Sequence, residues 1–159
     1  TGRILSVLYL VRQGLLTIPV LYLSRSIVRT KADYYRLLQA VRDHDAWEEW
    51  VVYMLTAVEE TARDAIETTH LMRETLPAVK HRIRERHAFY SQDLINNLFT
   101  HPYTKIEFIQ RDLGVSRVTA TKYLSQLVDG GFLSKRKIGR TNYYVNTALY
   151  GILTRDAMR

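Results

Sequence analysis

From Ala46 onward, apolar side chains return every three or four positions, at Trp47, Trp50, Val51, Met54, Leu55, Val58, Ala62, Ala65 and Ile66. That is the stripe of an amphipathic helix, and Glu59, Glu60, Arg63, Asp64 and Glu67 fall on its opposite face. The spacing predicts one helix running past Thr75, with Pro77 marking a kink or break because proline removes a backbone donor and crowds the preceding turn. The basic run Lys80 to Arg86 reads as a solvated helix face. Upstream, the pattern predicts an apolar helix over Ile4 to Val11 that Gly14 can terminate, a loop from Leu15 to Val20, and a helix from Leu21 to Arg29. A third begins within Thr30 to Asp33 and carries Tyr34, Leu37, Leu38 and Val41 on one face.

Further along, Ser91 is placed to cap a helix whose Leu94, Ile95 and Leu98 face inward. Thr104 followed by Glu107 reads as a capping box that starts a helix to about Leu113. Gly114 permits the positive φ of a tight turn, Ser116 caps a second helix through about Asp129, and Gly130-Gly131 ends it. Phe132 to Lys137 and Tyr143 to Val145 read as strands around a basic tip, Gly139-Arg140-Thr141-Asn142. Two short helices and such a hairpin make a winged helix-turn-helix. In its second helix Val115, Ala120, Leu124 and Leu127 form a buried stripe, leaving Arg117, Val118, Thr121, Lys122 and Ser125 exposed. In a helix-turn-helix that face enters the groove, so Arg117, Thr121 and Lys122 are candidate nucleic-acid or partner contacts. Lys135, Lys137 and Arg140 on the wing are candidates for backbone phosphate. The expected fold is mainly α, with a small α+β winged part.

Composition narrows the chemistry. Cysteine is absent, which excludes disulfides and thiolate metal sites, and the five histidines form no pair at ligand spacing within one clear helix. The most apolar stretch, Ile4 to Leu23, is interrupted by Arg12, Gln13, Gly14 and Pro19; it predicts a buried helix-loop-helix and neither a membrane span nor a signal peptide. The expected location is the cytoplasm. The net charge of +7 is uneven: Lys and Arg against Asp and Glu stand at 7 to 2 over residues 1–43, 2 to 8 over 44–75 and 8 to 3 over 101–145. Basic flanks suit polyphosphate partners without saying which.

The segments Gly2-Arg3-Ile4-Leu5-Ser6-Val7-Leu8-Tyr9-Leu10, Ile18-Pro19-Val20-Leu21-Tyr22-Leu23-Ser24 and Lys31-Ala32-Asp33-Tyr34-Tyr35-Arg36-Leu37-Leu38 resemble the region just after the active-site motif of Fic-domain proteins. The likeness continues through Trp47-Glu48-Glu49-Trp50 and Tyr53-Met54-Leu55, and a winged helix ends one Fic branch. The family's motif has the form H-x-F-x-[DE]-G-N-G-R-x-x-R, of which this chain matches the tail, Thr1, Gly2 and Arg3. The resemblance implies transfer of AMP from ATP, with Mg²⁺, to a Ser, Thr or Tyr hydroxyl of a target protein. Backbone N–H groups, helix dipole, guanidinium and metal stabilise the charge of such a transfer. It implies that Arg3, with Gly2 beside it, contacts ATP phosphate; Tyr22, Tyr34 and Tyr35 read as core aromatics at helical spacing, and the resemblance offers lining of a nucleotide or target cleft as the alternative. The histidine that would act as general base lies outside the chain, which is therefore expected to be inactive alone.

The expected domains are residues 1–45, completing a Fic domain, 46–88, a connecting helical region, and 89–159, the winged part. Possible partners are the hydroxyl-bearing target protein, duplex DNA, and a second copy meeting through a patch of Phe99, Tyr103 and Tyr150. The alternative reading is a DNA-binding transcriptional regulator whose upstream helices form a dimer.

Overall fold

The computed structural model describes residues 2–17 and 21–155, with the side chains of residues 2 and 3 outside that description. Eight helices and three short strands follow one another among the described residues. The fold is mainly helical with a small α+β part, as the sequence predicts. The chain divides into two compact units, residues 1–67 and 68–159.

In the first unit, α1 (Gly2–Arg12), α2 (Leu23–Arg29), α3 (Lys31–His44) and the first half of α4 (Trp47–Arg86) surround a small core of Leu21, Leu23, Ile27 and Ala57. Gly14 ends α1 at φ 70°, as its position suggested. Ser26 and Arg29 on α2 both donate to Glu60 Oε2 on α4, each at 3.1 Å. The ring of Tyr34 lies edge-on to Tyr35 and Trp50, 5.3 and 5.1 Å between centroids. The expected burial of the Ile4–Leu23 stretch holds only in part. Ile4, Leu5, Leu8 and Tyr9 are 67, 60, 52 and 59% exposed, and Val51 and Leu55 of the α4 stripe are 48 and 62% exposed. A unit this small has too few elements to cover both sides of α1.

Helix α4 continues through Pro77 as one helix, so the break that proline could have made does not occur. Pro77 and Arg73, whose carbonyl loses its donor, are both exposed, so water can replace the missing hydrogen bond on that side. The second half of α4 sends Val79 and Ile83 into the core of the second unit.

That unit continues with α5 (Gln92–Thr100), β1 (Tyr103–Thr104), α6 (Ile106–Leu113), α7 (Arg117–Asp129), β2 (Leu133–Ile138), β3 (Thr141–Asn146) and α8 (Thr147–Thr154). The strands form an antiparallel sheet in the order β1-β3-β2. Leu94, Ile95, Leu98, Ile109, Ala120, Leu124 and Leu127 join Ile83 in a continuous core. Ser91 and Ser116 cap α5 and α7 as expected, accepting from the Leu94 and Thr119 N–H groups. Asn146 caps α8, a helix the sequence reading did not anticipate.

Two local expectations give way. Thr104 does not cap α6: the N-cap is Lys105, with no side-chain bond, and Thr104 pairs with Tyr144 in the sheet. Its buried hydroxyl donates instead to Asn97 Oδ1 at 2.7 Å, and Asn97 Nδ2 donates to Asp112 Oδ2 at 2.6 Å. The buried hydroxyl needs a partner, and α5 supplies one. The hairpin tip is also tighter than the expected four residues. Ile138 pairs with Thr141, leaving Gly139-Arg140 as a two-residue turn with Gly139 at φ 59°.

The Thr104→Val variant, which keeps the shape but removes the donor, is expected to lose about 1–3 kcal/mol of stability in urea unfolding. Glu107→Ala, exposed and free of a capping role, is expected to change it by less than about 0.5 kcal/mol. A larger loss from Glu107→Ala than from Thr104→Val would restore the capping box.

Candidate nucleic-acid interface

Gly114, at φ 66°, turns the chain sharply between α6 and α7. The backbone reverses there in a conformation a Cβ would strain, and α7 then packs against the core. Ala120, Leu124 and Leu127 are then fully buried. Their spacing fixes the rotation of the helix, so Arg117, Val118, Thr121, Lys122 and Ser125 all face outward. The expected contacts Arg117, Thr121 and Lys122 thus share one exposed face. Thr121 turns its hydroxyl back to donate to the Arg117 carbonyl at 2.8 Å, which leaves its hydroxyl proton committed within the helix.

On the hairpin, Lys135, Lys137 and Arg140 are exposed, Arg140 in the turn itself. Arg136 was not singled out from the sequence. It lines an open groove with Lys137, Tyr103, Ile138, Tyr143 and Tyr150. Lys105, also missed, holds its Nζ 4.6 Å from the Tyr143 ring centroid. Of the expected apolar patch, Tyr103 and Tyr150 are exposed on this groove, whereas Phe99 packs against the core. From Gly114 to Val145 the charges are Arg117, Lys122, Lys135, Arg136, Lys137 and Arg140 against Asp129 alone.

Helix α7 is braced from behind by aromatic packing. Tyr123 stacks on Phe89 at 4.1 Å, Phe89 lies 4.9 Å from His87, and His87 meets Phe132 at 5.8 Å. The basic run at the end of α4 is exposed at Arg82, Arg84 and Arg86, as expected of a solvated face, and its cations also meet neighbouring side chains. Arg82 lies over Phe132 at 4.9 Å, Arg84 over Tyr90 at 5.9 Å, and Lys80 donates to Gln92 at 2.8 Å. On α6, the hydrogen bond from Arg111, aided by that from Asn97, holds the Asp112 carboxyl below its usual range. Asp112 is therefore a bound anion turned toward its own helix and α5, away from the α7 face.

Gly2 and Arg3 enter the structure through the backbone of α1; their side chains, and with them the expected phosphate contact, lie outside the described residues. Among the described residues no group of His, Asp and Glu is arranged to hold a metal, and no helix is long and apolar enough to cross a membrane.

His87 gives this bracing a pH dependence. Its Nε2 is shut off from solvent and has no hydrogen-bond partner among the described residues. Burial, and secondarily the charge of Arg86, lowers its pKa below 6.5. The unfolded chain therefore takes up this proton first, and the stability His87 contributes as a neutral ring is lost as pH falls from about 6.5 toward the folded-state value. Urea midpoints at pH 7.5 and 5.5 are expected to fall more for the native chain than for His87→Phe; equal falls would contradict this.

Residues 71–149, from the middle of α4 to the start of α8, match the family model described as the C-terminal domain of SoFic-like protein adenylyltransferases. The match includes every candidate contact on α7 and the hairpin. By this domain the chain belongs to the Fic family of protein adenylyltransferases.

Proposed function

We propose that this chain is the C-terminal part of a protein AMPylator whose α+β module works as a winged helix-turn-helix on duplex DNA. The observation that carries the DNA reading is the outward face of α7. It is donor-rich, carries no carboxylate in its first two turns, and is held on the same core as a hairpin bearing Lys135, Lys137 and Arg140. In this reading Arg117, Thr121 and Lys122 meet base edges, and the hairpin cations meet phosphate. Residues 1–45 complete the Fic domain, 46–88 connect, and 89–159 bind DNA. The whole enzyme transfers AMP from ATP, with Mg²⁺, to a target hydroxyl, and Arg3 with Gly2 supports the phosphate.

Fluorescence anisotropy with a labelled duplex tests the DNA reading. Affinity is expected to fall linearly on a log scale with salt, by a slope of about −0.9 per phosphate neutralised. Arg140→Ala and Lys137→Ala should each weaken binding to all sequences alike and reduce that slope by about 1, and Lys122→Ala should weaken binding too. If the chain binds no duplex at about 50 mM salt, where such contacts are strongest, the surface docks protein instead.

A further inference from the structure

The α7 face holds one residue that charge does not explain. Val118 is 80% exposed, the most exposed of the large apolar side chains among the described residues. It stands on a helix whose other aliphatic side chains lie in the core or against it. Helix propensity does not account for it, because valine is a poor helix former and gains nothing from an exposed position. Around it stand Arg117, one turn on Thr121 and Lys122, and a second turn on Ser125. The first two turns of α7 carry no carboxylate to accept from cytosine N4 and no amide to pair with adenine N6 and N7. The Thr121 hydroxyl proton is held by the Arg117 carbonyl. What remains outward is methyl surface flanked by cations. In the major groove, methyl surface matches the thymine 5-methyl group, and the cations match guanine O6 and N7.

Resting on the DNA-binding reading, we infer that Val118 determines sequence preference by packing on the 5-methyl group of a thymine next to a guanine contacted by Lys122 or Arg117. The occupant is duplex DNA because the surrounding charge is positive and uninterrupted, and the preference is for thymine because the central contact is apolar. Removing either partner of one methyl contact is expected to cost about three- to ten-fold in affinity.

The full chain is used to select duplexes from a random-sequence pool, and the enriched duplex is remade with deoxyuridine at each thymine in turn. One replacement is expected to weaken binding by the native chain about three- to ten-fold and to weaken binding by Val118→Ala clearly less, since the shorter side chain has already lost most of the contact. Val118→Ala should keep or slightly raise the native urea midpoint, because the side chain is exposed and alanine is the better helix former. Binding with no sensitive thymine, no enrichment at all, or an equal uracil penalty in Val118→Ala and the native chain would overturn the inference while leaving the DNA reading standing. Absence of binding to any pool duplex at about 50 mM salt would overturn the DNA reading itself.

Discussion

The burial of one stripe of α7 is the constraint on which the candidate interface depends. Ala120, Leu124 and Leu127 have no solvent exposure, and they pack with Ile83, Leu94, Ile95, Leu98 and Ile109. Rotating α7 by one residue, about 100°, would bring polar side chains into that core, at a cost of several kcal/mol for unpaired groups. The outward residues are therefore chosen by the inward ones. Whatever docks on Arg117, Val118, Thr121 and Lys122 meets a surface set by hydrophobic packing and not by the flexibility of a loop.

The same core ties the other parts of the second unit to that helix. Phe132 and Leu133 carry the hairpin into it, and Val79 and Ile83 bring in the end of α4. The Thr104–Asn97–Asp112 chain of hydrogen bonds joins β1, α5 and α6 at 2.7 and 2.6 Å. The two buried members, Thr104 and Asn97, favour one arrangement of those elements, because their hydrogen bonds are satisfied in it. The aromatic series from Tyr123 through Phe89 and His87 to Phe132 does the same for α7 and the start of the hairpin.

Where local chemistry decides, the sequence was readable. Ser91, Ser116 and Gly114 act within four residues of themselves, and the three-four spacing of α7 needs only its own helix to be seen. Thr104 was misread because its pattern with Glu107 is local while its true partner, Asn97, lies on another helix. Whether Pro77 breaks its helix could not be read locally, because its cost depends on which side of α4 faces water. The exposed Ile4, Leu5 and Leu8 show the same limit: an apolar pattern states that a face is suited to burial, and only the neighbouring elements decide whether it is covered. For Arg3 the sequence offers a family likeness, and the described side chains begin after it. The α7 and hairpin cations were legible by type and spacing, whereas Arg136 required the register of the sheet.

The central claim, that the α7 face together with the hairpin is the surface that receives duplex DNA, is tested most directly by titrating the isotope-labelled full chain with a duplex and following its backbone amide resonances. The account predicts shifts concentrated in residues 116–125 and 135–141, with little change around Tyr103 and Tyr150. Shifts concentrated instead on the Tyr103, Tyr143 and Tyr150 groove, with residues 116–125 silent, would contradict it.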